Sequence, residues 1–284
     1  MGIRLYFIFA RFFRMTKDRI FYLVVLFLFA TGAITSCGEY NKVLKSTDAN
    51  LKYNKGIEYY EQGRYERALP LFEELISLYR GTTKSEKIYF YYAYSNFYMR
   101  NYALSAYYFG NFVKTYPTSE FAEEASFMSG YSDYKSSPIY SLTQEDTYSA
   151  IDNLQRFMND YPESLLVDSC NVLINELRGK LEKKAFENAY LYYKLGNYKS
   201  ALIAFKDVLK DFPESNYKED VLYWMLVTNY EVASKSVYFK KKERYEDTIN
   251  AYYKFVDTYP ESKKISSAER YFKLSIKFLD SLIL

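Results

Sequence analysis

From residue 48 towards the C-terminus, runs in which apolar and aromatic residues return every three or four positions alternate with short polar breaks. That spacing marks one face of an α-helix, and its recurrence predicts helices in pairs. Four of the runs close on one phrase: Tyr116-Pro117-Thr118-Ser119, Tyr161-Pro162-Glu163-Ser164, Phe212-Pro213-Glu214-Ser215 and Tyr259-Pro260-Glu261-Ser262. Repetition of this kind means stacked helical hairpins, each burying its apolar face only against its neighbours. The expected fold is all-α, with about five hairpins over roughly 48–82, 83–119, 120–164, 165–215 and 216–262, then a C-terminal helix. Leu166 to Tyr193 reads as one long helix. Pro138 and the flanking serines make Ser136–Ser141 a loop, and Lys235–Arg244 reads as an insertion within the fifth unit.

Ahead of the repeats the pattern changes. Thr16 to Arg19 is a short charged stretch, Ile20 to Ala30 an apolar run of eleven residues, and Thr31 to Ser36 a small-residue stretch before Cys37. Eleven apolar residues fall short of the ~20 that span a bilayer. The segment therefore reads as a lipoprotein signal peptide over 1–36, with Met1 or Met15 as start. Cleavage leaves Cys37 to carry lipid at the head of a linker, 37–47. An uncleaved anchor helix is the other reading.

Removing residues 1–36 changes the charge. The chain has 38 basic and 35 acidic residues; Arg4, Arg11, Arg14, Lys17 and Arg19 against Asp18 leave with the signal, so 33 and 34 remain. A nearly neutral mature chain carries no basic footprint for nucleic acid. With Cys37 acylated, Cys170 has no disulfide partner and reads as a small buried hydrophobe. The absence of histidine removes Ser-His and Cys-His nucleophile pairs, histidine metal sites and the usual general base. No phosphate-cradling glycine loop occurs either. Neither catalytic residues nor a metal nor a cofactor is expected, apart from the lipid on Cys37.

The repeats resemble the tetratricopeptide family, whose unit is two antiparallel helices in about 34 residues with a small residue in each helix and a closing proline. Gly56, Tyr59, Gly63, Tyr65, Ala68 and Phe72 carry the pattern best; Ala93, Tyr102, Ser105, Phe109 and Pro117 follow in the second unit. Gly130, Ala150, Leu154 and Pro162 mark the third. The fourth has Ala189, Gly196, Tyr198, Ala201, Phe205 and Pro213, the fifth Tyr245, Thr248, Tyr252 and Pro260. Closing prolines stand 45, 51 and 47 residues apart, longer than the family unit. The resemblance implies a right-handed superhelix with a peptide-binding groove. Its lining positions lie three before, one after and four after the small residue of each first helix. They are Tyr53, Ile57 and Tyr60; Phe90, Tyr94 and Phe97; Phe127, Tyr131 and Tyr134; and Phe186, Tyr190 and Tyr193. An aromatic stripe at this spacing admits two readings, packed core or half-wet groove.

The signal, the hairpins and the segments Tyr40-Asn41-Lys42-Val43-Leu44-Lys45-Ser46 and Lys52-Tyr53 before Gly56 together resemble the BamD family of outer-membrane β-barrel assembly lipoproteins. That resemblance implies a periplasm-facing protein in the inner leaflet of the outer membrane of a Gram-negative bacterium. Gly38, where an aspartate would signal retention at the inner membrane, agrees with that sorting. The implied partners are a BamA-like barrel-forming subunit and unfolded outer-membrane proteins. The basic run Lys240, Lys241, Lys242 and Arg244 is either a contact for that subunit or a solvated loop. Two other functions stay open: a different periplasmic repeat adaptor of cell-wall constriction, and a glycan-capturing lipoprotein of the SusD kind.

Overall fold

The computed structural model describes residues 38–282, and the expectations over residues 1–37, the acylation site Cys37 included, lie outside the described residues. Every regular element among the described residues is a helix. A short helical segment over 38–44 precedes α1 (Ala49–Glu61), α2 (Tyr65–Leu78), α3 (Thr83–Tyr98), α4 (Tyr102–Thr115), α5 (Ala122–Ser136) and α6 (Glu145–Asp160). Then come α7 (Val167–Lys194), α8 (Tyr198–Asp211), α9 (Lys218–Ser234), α10 (Tyr238–Thr258) and α11 (Ile265–Asp280). Two compact units result, Met1–Ser129 and Gly130–Leu284. No helix among the described residues is long and apolar enough to cross a membrane.

In the first unit α1 packs on α2, α2 on α3 and α3 on α4. Its core gathers Val43, Tyr59, Ala68, Leu71, Phe72, Leu75, Ile88 and Tyr92. In the second unit α7 pairs with α8 and α9 with α10, while α11 closes on both α9 and α10. Phe186, Ala189, Ala201, Phe205, Leu226, Phe255 and Ala268 form the centre of that core. The helices of each pair approach closely where the sequence places small residues. A Cβ on Gly56 would stand 2.9 Å from the Phe72 ring, and one on Gly130 would stand 2.9 Å from Leu154 and 3.0 Å from its backbone nitrogen.

The repeated phrase folds the same way four times. Tyr116, Tyr161, Phe212 and Tyr259 end their helices at φ/ψ of −128/59, −129/61, −132/69 and −133/67. The proline that follows excludes the α region at each of them. Each serine then accepts a hydrogen bond through its hydroxyl from the backbone N–H two residues on, 3.1–3.2 Å away, which starts the next helix. Within hairpins, Gly63 (φ 71), Arg100 (φ 62) and Gly196 (φ 76) occupy one left-handed position. Their N–H groups donate to Tyr60, Phe97 and Tyr193 carbonyls at 2.9 Å, and the next residues donate to Tyr59, Asn96 and Tyr192, the paired bonds of a Schellman cap. Arg100 accepts a conformation that glycine adopts freely.

Two expectations about connections have different outcomes. The chain is irregular between α5 and α6, where Gln144 Nε2 donates to the carbonyls of Ile139 and Leu142 at 2.9 Å. The insertion expected over Lys235–Arg244 is instead mostly helix: only residues 235–237 separate α9 from α10, and the basic run occupies the first turns of α10. That stretch holds no glycine or proline, and Lys, Glu and Arg are good helix formers.

Gly130 and Gly179 provide an internal comparison, since a Cβ on Gly179 would meet nothing within 4 Å. Gly179→Ala is expected to raise stability by about 0.5–1 kcal/mol through helix propensity. Gly130→Ala is expected to lower it by about 1–3 kcal/mol through overpacking against backbone; chemical denaturation of both variants checks the opposite signs. Asp133, on α5, accepts a 2.7 Å bond from Asn153 on α6, yet burial pushes its carboxyl up to about 6 from 3.8. A carboxyl raised in the folded state stabilises below its unfolded pKa, and that contribution is lost as pH climbs through the folded value. Asp133→Asn should therefore raise Tm above pH 6 and change it little below pH 3.8, as thermal melts across that window would register.

Candidate aromatic peptide-binding surface

The stripe positions fall into three structural classes. Of those three residues before the small residue, two are core: Phe90 is 4 % and Phe186 8 % exposed. This corrects their assignment as groove lining. The cause is an aromatic residue two places after the serine of the repeated turn: Phe121 stacks on Phe90 at 4.6 Å and Tyr217 on Phe186 at 5.1 Å. Tyr53 is half-buried beside Tyr79, with the Lys84 ammonium 4.7 Å from its ring centre; Phe127 is half-buried too.

Positions four after the small residue meet the tyrosine that opens the second helix of their own hairpin. Tyr60 lies 5.5 Å from Tyr65, Phe97 5.4 Å from Tyr102 and Tyr193 5.6 Å from Tyr198. Tyr134 stands apart, because the place three before Ala150, where the other hairpins have their tyrosine, is Thr147; its hydroxyl donates to Glu176 at 2.6 Å. That bond, with burial, pushes Tyr134 up to about 12, because ionising the phenol beside a carboxylate is unfavourable. Tyr193 also reaches about 12, through burial first and Glu231 second.

Positions one after the small residue are Ile57, Tyr94, Tyr131 and Tyr190, all half-buried. The Tyr94 hydroxyl donates to Glu124, and burial followed by that bond pushes its pKa far up. Tyr94 also meets Phe90 at 5.0 Å and Phe109 at 4.9 Å edge-on, so its ring is partly structural. Tyr131 stacks on Tyr134 at 5.9 Å. Tyr190 lies 4.7 Å from Trp224, and the Lys194 ammonium sits 4.7 Å from its ring centre.

Each unit thus presents its own aromatic surface edged by carboxylates. In the first, Tyr60 stacks on Tyr91 and Tyr65 on Tyr98, both at 4.4 Å, with Tyr94 and Glu124 alongside. In the second, Trp224 completes the set with Tyr190 and Tyr193. Reasoning from sequence missed Trp224, because Val227 stands where the fifth unit would need a small residue and the register could not be read. The aromatic residue two places after the turn serine was a readable signal for Phe121 and Tyr217.

The basic run divides. Lys240 and Arg244 line a cleft of about 600 Å³ together with Gly196, Asn197, Tyr198 and Lys235. Lys235 donates to the Tyr198 hydroxyl at 2.7 Å and pairs with Glu231 at 2.9 Å, while Arg244 donates to the Ser236 hydroxyl. Lys241 points to Phe278 instead, 5.6 Å from its ring centre, and Lys242 is exposed. No group of three or more His, Cys, Asp or Glu among the described residues could hold a metal ion. Cys170 is buried, and burial raises its thiol pKa to about 11.

The chain is similar to known proteins in three comparisons. A family model described as YfiO, outer membrane lipoprotein, matches residues 45–243. The chain is 26% identical over 233 residues to a putative outer membrane protein assembly factor BamD of Aquifex aeolicus, covering 81% of this chain and 76% of the relative. Among solved structures, the TPR2AB domain of yeast Sti1 in complex with pHSP90 covers 81% of this chain and 97% of its own at 13% identity and a TM-score of 0.38. The matched stretch runs from the segment before α1 into α10, and the chain belongs to the YfiO family of outer membrane lipoproteins.

Proposed function

We propose that this protein is a lipid-anchored, non-enzymatic scaffold of outer-membrane β-barrel assembly. It binds unfolded outer-membrane protein segments on its aromatic surfaces and a BamA-like barrel-forming subunit through its C-terminal hairpins. Acylated Cys37 holds it in the inner leaflet of the outer membrane, facing the periplasm. The observation that carries the reading is the set of half-buried tyrosines at carboxylate-edged positions, Tyr94 beside Glu124 and Tyr134 beside Glu176. Such rings offer an apolar face and a polar tip at once, which suits a strand alternating aromatic and polar residues. Family membership and the assembly role named for the Aquifex relative support assembly over wall constriction or glycan capture. Lys240 and Arg244, on the rim of the basic cleft, are the candidate contacts for the barrel subunit.

Tyr131→Ala is expected to weaken capture of an unfolded outer-membrane strand peptide by about 1 kcal/mol, roughly fivefold in Kd, with little loss of helicity. Tyr94→Ala should instead lower stability, because its ring packs on Phe90 and Phe109. Fluorescence anisotropy with a labelled peptide and circular dichroism separate the two; unchanged anisotropy with Tyr131→Ala would remove that ring from the binding surface. Affinity purification of the lipidated protein from detergent-solubilised envelopes should recover the barrel-forming subunit in stoichiometric amount. Recovery of a division or glycan-uptake complex instead would overturn the assembly role.

A further inference from the structure

We propose that the α1–α2 turn lies against the phospholipid surface, held there because the segment following Cys37 is docked on the first hairpin. The inference rests on the acylation of Cys37 proposed above. Residues 38–44 are helical, and Val43 is buried in the core that holds Leu71 and Leu75. Tyr40 meets Tyr59 edge-on at 5.7 Å, and the Arg67 guanidinium covers both rings at 5.4 and 5.9 Å. Lys55 pairs with Glu39 at 3.3 Å and with Glu58 at 2.9 Å. Tyr59 and Arg67 flank the turn between α1 and α2, so the chain enters the fold at that end.

The tether is therefore short. Cys37 precedes Tyr40 by three residues, which reach at most roughly 10 Å even when fully extended, and residues 38–40 are helical. A lipid buried in the bilayer leaves the docked segment no room to swing away, and the exposed turn residues Gln62 to Arg64 fall within headgroup range. The far end of the hairpin, at Leu78 and Arg80, stands ~20 Å away along the 14 residues of α2. Exposed Lys42, Lys45 and Arg64 are offset by exposed Glu61 and Glu66, so the tether sets this orientation more than charge does. The partner is the lipid surface itself.

The test uses full-length lipidated protein in phosphatidylethanolamine–phosphatidylglycerol vesicles carrying headgroup spin labels, with a fluorophore on Gln62→Cys or on Arg80→Cys. Cys170 is buried and stays unlabelled under native conditions. The label at 62 is expected to be quenched roughly twofold or more over that at 80, given the ~20 Å between them. Adding Val43→Asp, or the milder Tyr40→Ala, should abolish that difference while the protein still floats with the vesicles and keeps its helicity. Flotation with equal quenching at both positions overturns the docked orientation alone. Failure to float overturns the acylation, and the orientation with it.

Discussion

At two of the hairpins the helices approach so closely that the residue at the crossing has no side chain, and at two others it is alanine. At Gly56 the Phe72 ring, fully buried, lies where a Cβ would be; at Gly130 the Leu154 side chain and backbone do the same. Much else follows from this contact. Positions three before, one after and four after the glycine share its helical face, but only the glycine itself looks straight at the partner helix. Its neighbours look past that helix's flank, which is why Tyr60, Tyr94 and Tyr131 are half-buried beside fully packed small residues. A bulkier residue at the crossing would separate the helices and open the flank that those rings cover.

The second constraint is the turn between hairpins. Proline ends a helix, and the serine two residues later begins the next, so one tetrapeptide both stops and starts a helix. In the second unit the same serines reach back to the preceding hairpin: Ser215 donates to Glu182 at 2.9 Å and Ser262 to Glu219 at 2.6 Å. The residue two places beyond Ser215 is thereby aimed at the earlier helix, which is how Tyr217 comes to cover Phe186; Phe121 covers Phe90 in the same place of the first unit. At the last copy that place belongs to Lys264, which pairs with Glu219 and Asp220 instead of stacking.

How far the sequence could be read follows from the range of each signal. Helix pairing was legible because period and turn chemistry are local: the four Pro-x-Ser phrases, Gly63 and Gly196 all stand where turns form. Arg100 takes the same left-handed position without the residue type that announces it, so only alignment with Gly63 and Gly196 reveals the turn. Burial along the aromatic stripe was not legible. Phe90 and Tyr94 have the same sequence context, and what separates them is a ring thirty-one residues after Phe90 in one case and a carboxylate thirty residues after Tyr94 in the other. The basic run is ambiguous for a related reason: lysines report a wet surface and not its backbone, and a helix whose one face is Tyr245, Thr248 and Phe255 leaves its other face as wet as any loop.

Tyrosine is the residue that gives one surface both a packed ring and a polar tip. A phenylalanine at position 94 would pack on Phe109 as well, but it would leave the Glu124 carboxylate with solvent alone; a serine would reach neither. The phenol spans the boundary, with its ring inside and its hydroxyl on a carboxylate at the rim. The high phenol pKa values at Tyr94 and Tyr134 mean that these hydroxyls remain donors at any physiological pH. A strand of alternating aromatic and polar residues that lies across such rings would find apolar faces to stack on and carboxylate edges to receive its own N–H donors. On the proposed function, the carboxylates would exchange an internal donor for an external one without being left unpaired, and the cost of opening the surface would be offset within the contact that opens it.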